Sequence, residues 1–131
     1  MRMFKPDESK RPMGKKILLI DDDPDILEVI SMILENKGYT VKTSDNGENI
    51  EKEMPELLLL DIWMSGKFGS EICKELKASE KTRHIPVILL SANRDIEEIA
   101  KTCGANGFIP KPFKMKDLIE KVNYHINASL V

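Results

Sequence analysis

Apolar residues follow two different spacings along the chain, and the alternation between these spacings predicts the elements. Four runs of consecutive apolar residues, at 17–20, 57–60, 87–90 and 108–109, predict short strands. The segments between and after these runs carry apolar residues three or four positions apart, which predicts amphipathic helices. The residues with this helical spacing are Ile26, Leu27, Ile30, Ile33 and Leu34 in one segment, Ile72, Cys73 and Leu76 in the next, then Ile96, Ile99, Ala100 and Cys103, and finally Leu118, Ile119, Val122 and Ile126.

The residues that flank the first of these helices mark its ends. Asp23 is suited to cap its N-terminus, Pro24 to occupy its first position and Gly38 to end it. A weaker element is expected between Gly47 and Pro55, where there is room for only about two helical turns.

Alternating strands and helices are typical of βαβ units that build a parallel sheet. The runs at 57–60 and 87–90 are apolar at every position, which predicts central strands covered by helices on both faces. Residues 40–43 instead alternate between polar and apolar, and residues 108–110 are short and end in proline, so both are predicted to be edge strands. The chain is therefore predicted to have an α/β fold with a doubly wound, five-stranded parallel sheet in the flavodoxin-like order 2-1-3-4-5.

Length and composition predict one domain. A chain of 131 residues, 41% hydrophobic and 32% charged, is typical of a folded domain with a single core. We expect residues 1–14, which are polar and basic, to be a flexible lead-in, and residues 15–131 to form the domain. The net charge of -2 gives no reason to expect binding to nucleic acid or to anionic membranes, and no apolar run is long enough to span a bilayer.

Cys73 and Cys103 both lie in helical apolar patterns. We interpret them as buried free thiols and not as a disulfide or a metal site. Free thiols are typical of the reducing cytoplasm, which is where we expect this chain to act.

Polar residues follow four of the predicted strands at the edge where parallel sheets bind ligands. They are Asp21 and Asp22, Asp61, Ser91, and Lys111. Taken singly, each has a structural interpretation, because an aspartate or a serine after a strand often caps the next helix and a lysine is usually solvated. Together they would place three carboxylates at one edge, and these need a cation to offset their repulsion.

Mg²⁺ suits such a site because it prefers oxygen ligands, and the sequence offers no cysteine and histidine cluster for zinc. A carboxylate beside Mg²⁺, a hydroxyl and a lysine is suited to phosphoryl transfer, which depends on positioning and on neutralising the phosphoryl oxygens. In this hypothesis Asp61 is the nucleophile and becomes an acyl phosphate, while Ser91 and Lys111 contact the phosphoryl oxygens.

Four segments resemble the receiver domain of bacterial two-component response regulators. They are ILLIDDDPD at 17–25, LLLLDIWM at 57–64, PVILLSA at 86–92 and GFIPKPF at 107–113. The resemblance spans about residues 15–128, nearly the whole predicted domain. The resemblance implies that Asp61 is the phosphoacceptor, and that Asp22, Asp61 and the carbonyl of Trp63 bind Mg²⁺ while Asp21 acts mainly through water. It also implies that Lys111 and Ser91 contact the phosphoryl group and that Phe108 is an aromatic switch. The bond between Lys111 and Pro112 is expected to be cis.

The chain departs from the family pattern in the loop after Asp61. Ser65 stands where the family usually has proline, and Phe68 where it usually has aspartate. These changes affect the loop and leave the phosphorylation residues intact. Trp63 and Asn93 would flank the approach of a hydrolytic water, so slow loss of the phosphoryl group is expected if Trp63 acts as a lid; otherwise Trp63 is a surface aromatic.

The resemblance implies a signalling switch of a two-component phosphorelay. Its partners would be a histidine kinase or histidine phosphotransfer protein and an unidentified downstream protein, and it would act on no substrate but its own carboxylate. Because little chain follows the last helix, we expect either output by protein contact, without direct DNA binding, or a sequence that is part of a longer protein. A monomer or a weak, phosphorylation-dependent dimer is expected.

Two other functions are compatible with parts of the sequence. A phosphatase with an aspartate nucleophile needs a second carboxylate two residues further on as acid and base, and Trp63 occupies that position. A binding module that works without phosphorylation could use the same fold, but it would have no need for the polar residues at the sheet edge.

Overall fold

The chain alternates strands and helices in a computed structural model that describes residues 14–47, 49–64 and 67–128, with the backbone alone for 63, 64, 67, 68 and 128. All of the predicted lead-in except Gly14 lies outside this part of the chain. No helix in the described residues combines the length and apolar content needed to cross a membrane. The elements are β1 (Lys16–Ile20), α1 (Pro24–Asn36), β2 (Thr40–Ser44), α2 (Ile50–Glu53), β3 (Leu57–Asp61), β4 (Trp63–Met64), β5 (Lys67–Phe68), α3 (Gly69–Ala78), β6 (Val87–Ser91), α4 (Ile96–Cys103), β7 (Gly107–Pro110) and α5 (Met115–Ala128).

Five parallel strands form the main sheet in the order β2-β1-β3-β6-β7. Counted along these five strands, the order is 2-1-3-4-5, so the predicted fold is confirmed. The alternating strand β2 and the short strand β7 lie at the two edges, as expected from their composition. The three strands between them are the ones with continuous apolar runs.

The core lies on both faces of the sheet, and the leucines of β3 are divided between the two. Leu58 and Leu60 join one apolar cluster with residues of α2, α3 and α4, whereas Leu57 and Leu59 join the other with residues of α1 and α5. All four leucines are fully buried. Because successive side chains of a strand point to opposite faces, the four residues of β3 before Asp61 all have to be apolar.

The capping residues predicted for α1 are found in those positions. The Asp23 side chain accepts a hydrogen bond from the Asp25 amide at 2.9 Å, and Pro24 is the first helical residue. Gly38 follows the helix with φ of 100°, a left-handed conformation that glycine adopts without steric cost.

Two elements differ from the sequence prediction. The helix expected between Gly47 and Pro55 has a single turn, α2, because Asn49 and Met54 on either side are left-handed, with φ of 66° and 44°. The antiparallel pair β4–β5 was not predicted at all, since strands of two residues are too short to show a period.

Cys73 on α3 and Cys103 on α4 are buried free thiols, as predicted. The Cys73 thiol donates a hydrogen bond to the Cys103 carbonyl at 3.4 Å. The pair therefore joins two neighbouring helices within the core.

Candidate functional site

The carboxyl ends of the strands bring the predicted polar residues to one edge of the sheet. Ile20 and Leu60 are register partners in β1 and β3, so Asp21 and Asp61 are neighbours where these strands end. Asp61 is the register partner of Leu90, which places Ser91 one residue beyond it. Lys111 comes directly after β7, whose last residue Pro110 is paired with Ser91.

Three carboxylates form a cluster at this edge. One oxygen from each of Asp21, Asp22 and Asp61 lies within 4.8 Å of the others. Asp21 is 1% exposed and Asp61 is 9% exposed, whereas Asp22 is open to solvent. The amide of Asp23 donates to Asp21 Oδ1 at 3.0 Å, which fixes the Asp21 side chain through its own turn.

Lys111 joins two of these carboxylates. Its Nζ lies 3.1 Å from Asp21 Oδ2 and 3.3 Å from Asp61 Oδ1. The Lys111 amide also donates to the Ser91 carbonyl at 2.8 Å, so the ends of β6 and β7 are tied together. The bond from Lys111 to Pro112 is cis. The lysine is thus held by its backbone as well as by its ammonium group.

For both Asp61 and Lys111, burial and the charge of the oppositely charged partner shift the pKa in opposite directions. Burial raises the pKa of Asp61 to about 6, and the nearby Asp21 and Asp22 carboxylates add to the rise while Lys111 opposes it. Burial alone would lower the pKa of Lys111, but the Asp61 and Asp21 carboxylates outweigh burial and hold this pKa above its ordinary value. Lys111 is therefore a cation at neutral pH, and an additional cation would favour the ionised form of Asp61.

The donor set fits a divalent cation. Lys111 pairs with Asp21 and Asp61, and one ammonium group does not neutralise three ionised carboxylates on its own. All the side-chain donors are oxygens, which is the set that Mg²⁺ prefers. Trp63, whose carbonyl was predicted as a further ligand, belongs to β4 two residues after Asp61.

Ser91 is half-buried at the end of β6, and its hydroxyl already takes part in the following turn. Its Oγ accepts a hydrogen bond from the Asn93 amide at 2.9 Å, and Asn93 Oδ1 accepts from the Asp95 amide at 2.8 Å. The structural interpretation of Ser91 as part of a turn before a helix is therefore partly right. Because Oγ is the acceptor in that bond, the hydroxyl hydrogen can still donate to a ligand.

Phe108, the predicted aromatic switch, is half-buried on β7. The Nζ of Lys121 on α5 lies 5.8 Å from the centroid of its ring, within the range of a cation–π interaction. The side chains of Trp63 and Phe68 lie outside the described part of the chain, as does the whole of Ser65. The predicted lid and the altered loop are therefore still predictions.

Sequence reasoning missed two residues near these groups. Gly69 places its backbone against the carbonyl of Asp61, and Lys121 contacts Phe108 from another element. For Gly69, the sequence offered one signal, which is a glycine eight residues after the candidate nucleophile Asp61. The contact of Lys121 with Phe108 depends on how α5 packs beside β7, and no local sequence pattern predicts that packing.

Sequence comparison relates the chain to known proteins. Residues 17–123 match the family model of the response regulator receiver domain. The DNA-binding response regulator MtrA from Mycolicibacterium smegmatis is 29% identical over 123 residues, covering 89% of this chain and 53% of MtrA. The chain therefore spans about half the length of that relative.

Solved structures with the same fold include two receiver domains. The receiver domain of a signal transduction histidine kinase from Syntrophus aciditrophicus is 30% identical with a TM-score of 0.79, and the match covers 88% of this chain and 92% of that one. A CheY-like receiver domain protein from Methanospirillum hungatei is 27% identical with a TM-score of 0.81, covering 88% and 96% of the two chains.

Proposed function

The chain belongs to the family of response regulator receiver domains, and from this membership we propose that it is a phosphoacceptor switch in which Asp61 accepts a phosphoryl group in the presence of Mg²⁺. The observation that carries the proposal is the position of Lys111, whose ammonium lies between Asp21 and Asp61 beside the carboxylate cluster. Such a group can hold a phosphoryl oxygen next to the acceptor.

The reaction is a transfer from a phosphohistidine to a carboxylate. An oxygen of ionised Asp61 attacks phosphorus, an O–P bond forms and the P–N bond breaks. The histidine leaves as a neutral imidazole, with the bonding electron pair on the nitrogen that held phosphorus and the proton that its other ring nitrogen already carried. Lys111 and the Ser91 hydroxyl each pair with a phosphoryl oxygen and so stabilise the charge that is shared among these oxygens. Mg²⁺ would be held by Asp22, Asp61 and the Trp63 carbonyl, with Asp21 acting mainly through water, and would supply further neutralisation of charge.

The partners follow from this chemistry. The donor is a histidine kinase or a histidine phosphotransfer protein, and the receiver of the signal is another protein. The name of MtrA describes that relative as binding DNA, and direct DNA binding is not part of our proposal for this chain. We expect a monomer or a weak dimer that forms on phosphorylation. The cytoplasmic location stays a prediction.

The signal is carried away from Asp61 by Ser91 and Phe108. Once phosphorylated, Asp61 attracts the Ser91 hydroxyl, and the space that Ser91 leaves admits the Phe108 ring. The face built by α4, β7 and α5 then changes shape. The chain acts on its own carboxylate alone and in this sense is not an enzyme.

Phosphorylation by a small phosphodonor tests the proposal. The parent chain is incubated with acetyl phosphate and Mg²⁺, and its intact mass is followed. We expect the mass of one phosphoryl group to be added, with no addition in Asp61→Asn or in the presence of a chelator. Asp22→Ala should need a much higher Mg²⁺ concentration, because it lacks one ligand.

Asp23→Asn is the matched control. It removes an adjacent negative charge that lies outside the carboxylate cluster and keeps a residue that caps α1 equally well. This variant should be labelled like the parent. Labelling of Asp61→Asn to the same extent as the parent would overturn the proposal, as would complete labelling without a divalent ion. Catalytic release of phosphate from an aryl phosphate would support the phosphatase alternative instead.

A further inference from the structure

The backbone of Gly69, the first residue of α3, lies directly against the peptide bond that follows Asp61. A Cβ atom built at Gly69 would lie 2.1 Å from the Asp61 carbonyl oxygen, 3.0 Å from its carbonyl carbon and 3.1 Å from Ile62 Cα. Hard-sphere contacts forbid the shortest of these distances. Position 69 therefore has no room for any side chain unless backbone moves.

The groups that would have to move are held on both sides. The Ile62 amide donates to the Leu90 carbonyl at 3.1 Å, and the Ile62 carbonyl accepts from the Gly69 amide at 2.5 Å. The Ile62 side chain is 5% exposed and lies in the core cluster with residues of α3 and β6. A close-packed interior of this kind passes on a displacement and does not absorb it. A side chain at position 69 would thus shift the peptide between Asp61 and Ile62.

The requirement at Gly69 is for space and not for backbone freedom. The glycines with positive φ in the described residues are Gly14, Gly38, Gly47 and Gly104, and Gly69 is not one of them. Alanine also favours helices more than glycine does. Local helix propensity therefore predicts that alanine is tolerated or preferred at position 69, whereas the contact with Asp61 predicts the opposite.

The short hairpin explains why the chain returns to this point. Trp63 in β4 pairs with Phe68 in β5, and the next residue, Gly69, closes the loop on the Ile62 carbonyl. The loop thus begins at the acceptor carboxylate and contains the Trp63 carbonyl, which is the predicted backbone ligand of the metal. The hydrogen bond from the Gly69 amide to the Ile62 carbonyl therefore fixes both the Asp61 carboxylate and the Trp63 carbonyl.

We propose that Gly69 is a positioning residue for Asp61: its lack of a side chain lets α3 start on the Asp61–Ile62 peptide and so directs the Asp61 carboxylate toward Lys111 and the Asp21 and Asp22 carboxylates. The effect of Gly69 on phosphoryl transfer rests on the function proposed above. Its effect on the carboxylate cluster does not, because Mg²⁺ binding can be measured without any phosphodonor.

Gly69→Ala, with Ser70→Ala as the matched control in the same first turn, tests the proposal. Mg²⁺ affinity is measured by calorimetry, the labelling rate by intact mass with acetyl phosphate, and the positions of the Asp61 and Ile62 amides by ¹⁵N NMR. We expect Gly69→Ala to bind Mg²⁺ about tenfold more weakly and to be labelled about 10- to 100-fold more slowly, since small misplacements of reacting groups have effects of this size. Ser70→Ala should stay within about twofold of the parent in both.

A second variant covers the case in which Gly69→Ala does not fold. Replacing Gly69 with glycolic acid turns its amide into an ester, which removes the hydrogen bond to the Ile62 carbonyl without adding a Cβ atom. We expect this variant to fold and to bind Mg²⁺ a few-fold more weakly than the parent, as the loss of one hydrogen bond would allow.

The outcomes separate the two proposals. If folded Gly69→Ala binds Mg²⁺ as the parent does, with Asp61 and Ile62 resonances unmoved, Gly69 does not position the carboxylate. If Gly69→Ala does not fold and the ester variant binds Mg²⁺ as the parent does, the contact of Gly69 with Ile62 does not hold the carboxylate and the positioning role also fails. If the parent is never labelled while Gly69→Ala still weakens Mg²⁺ binding, the proposed function fails and the positioning role stands. A loss of labelling with unchanged Mg²⁺ affinity would also contradict the positioning role.

Discussion

At the scale of single residues, Asp61 is the group whose charge is hardest to accommodate. It is 9% exposed, lies beside two other carboxylates and has one ammonium group, Lys111, as its cationic partner in the described residues. Burial raises its pKa to about 6. Without a metal, ionised Asp61 is therefore less favoured than an ordinary carboxylate, although it still predominates at neutral pH, and cation binding and ionisation of Asp61 favour each other.

This raised pKa predicts how Asp61 affects stability when metal is absent. Because the folded pKa of about 6 is above the ordinary 3.8, the protonated group stabilises the fold at low pH, and this contribution is lost as the pH rises through about 6. Asp61→Asn should thus raise the free energy of unfolding by up to about 3 kcal/mol at pH near 7.5 and by far less near pH 4. Urea unfolding of both chains in chelator checks this, and an equal difference at both pH values would contradict it.

The thiol of Cys73 should react slowly in the folded chain. Burial, and then its hydrogen bond with Cys103, raise the pKa of Cys73 to about 12. The thiolate is the reactive form, so modification by a thiol reagent near pH 8 should be on the order of a thousandfold slower than for an exposed cysteine. Following absorbance with a disulfide reagent, with and without urea, measures this. A fast reaction in the absence of urea would show that the thiol is accessible.

At the scale of elements, the turn from β1 to α1 gives three consecutive aspartates three different environments. Asp21 is buried and salt-bridged to Lys111, Asp22 is exposed within the carboxylate cluster, and Asp23 caps α1. The turn therefore both starts a helix and contributes to the candidate metal site. Substitutions one residue apart should consequently have different effects.

Asp23→Ala should lower the free energy of unfolding by about 1 kcal/mol because α1 loses its cap, while Mg²⁺ affinity stays close to that of the parent. Asp22→Ala should do the reverse and weaken Mg²⁺ binding with little loss of stability in chelator. Denaturant unfolding and Mg²⁺ titration of both variants give the comparison. The assignment is wrong if Asp23→Ala is the variant that loses the metal.

The contact between α5 and β7 should bias the position of the Phe108 ring, the predicted aromatic switch. The Nζ of Lys121 lies 5.8 Å from the centroid of the Phe108 ring, and a cation–π interaction of about 0.5–1 kcal/mol would favour the ring position seen in the structure. Lys121→Gln should therefore raise the population of the alternative ring position about two- to fivefold before phosphorylation. NMR relaxation dispersion at Phe108 measures this population.

Lys116→Gln is the control for Lys121→Gln. Lys116 is an exposed lysine on the same helix that pairs with Glu120 at 3.9 Å. The Lys116 variant should leave the Phe108 population unchanged. If both variants raise the population of the alternative Phe108 ring position equally, Lys121 does not hold the ring, and the increase reflects the lower positive charge of α5.

At the scale of the whole molecule, the fold could be predicted because its signals are local and repeated. Fully apolar runs such as 57–60 indicate strands buried on both faces, and the cap of α1 is encoded in two adjacent residues, Asp23 and Pro24. Asp21, Asp61, Ser91 and Lys111 could be grouped because parallel strands end at one edge. The β4–β5 hairpin could not be predicted, because strands of two residues show no period. The need for space at Gly69 could not be predicted either, because it depends on how closely α3 approaches β3.

The central claim, that Asp61 is the residue that carries the phosphoryl group, is tested most directly by mapping the modified residue. Borohydride reduces an acyl phosphate on an aspartate to homoserine and leaves free carboxylates and phosphoserine intact. The chain is treated with acetyl phosphate and Mg²⁺, reduced, digested and sequenced by tandem mass spectrometry. We predict homoserine at position 61 and aspartate at positions 21, 22 and 23. Homoserine at any of these three positions with Asp61 unchanged, or a phosphoryl group retained on Ser91, would contradict the account.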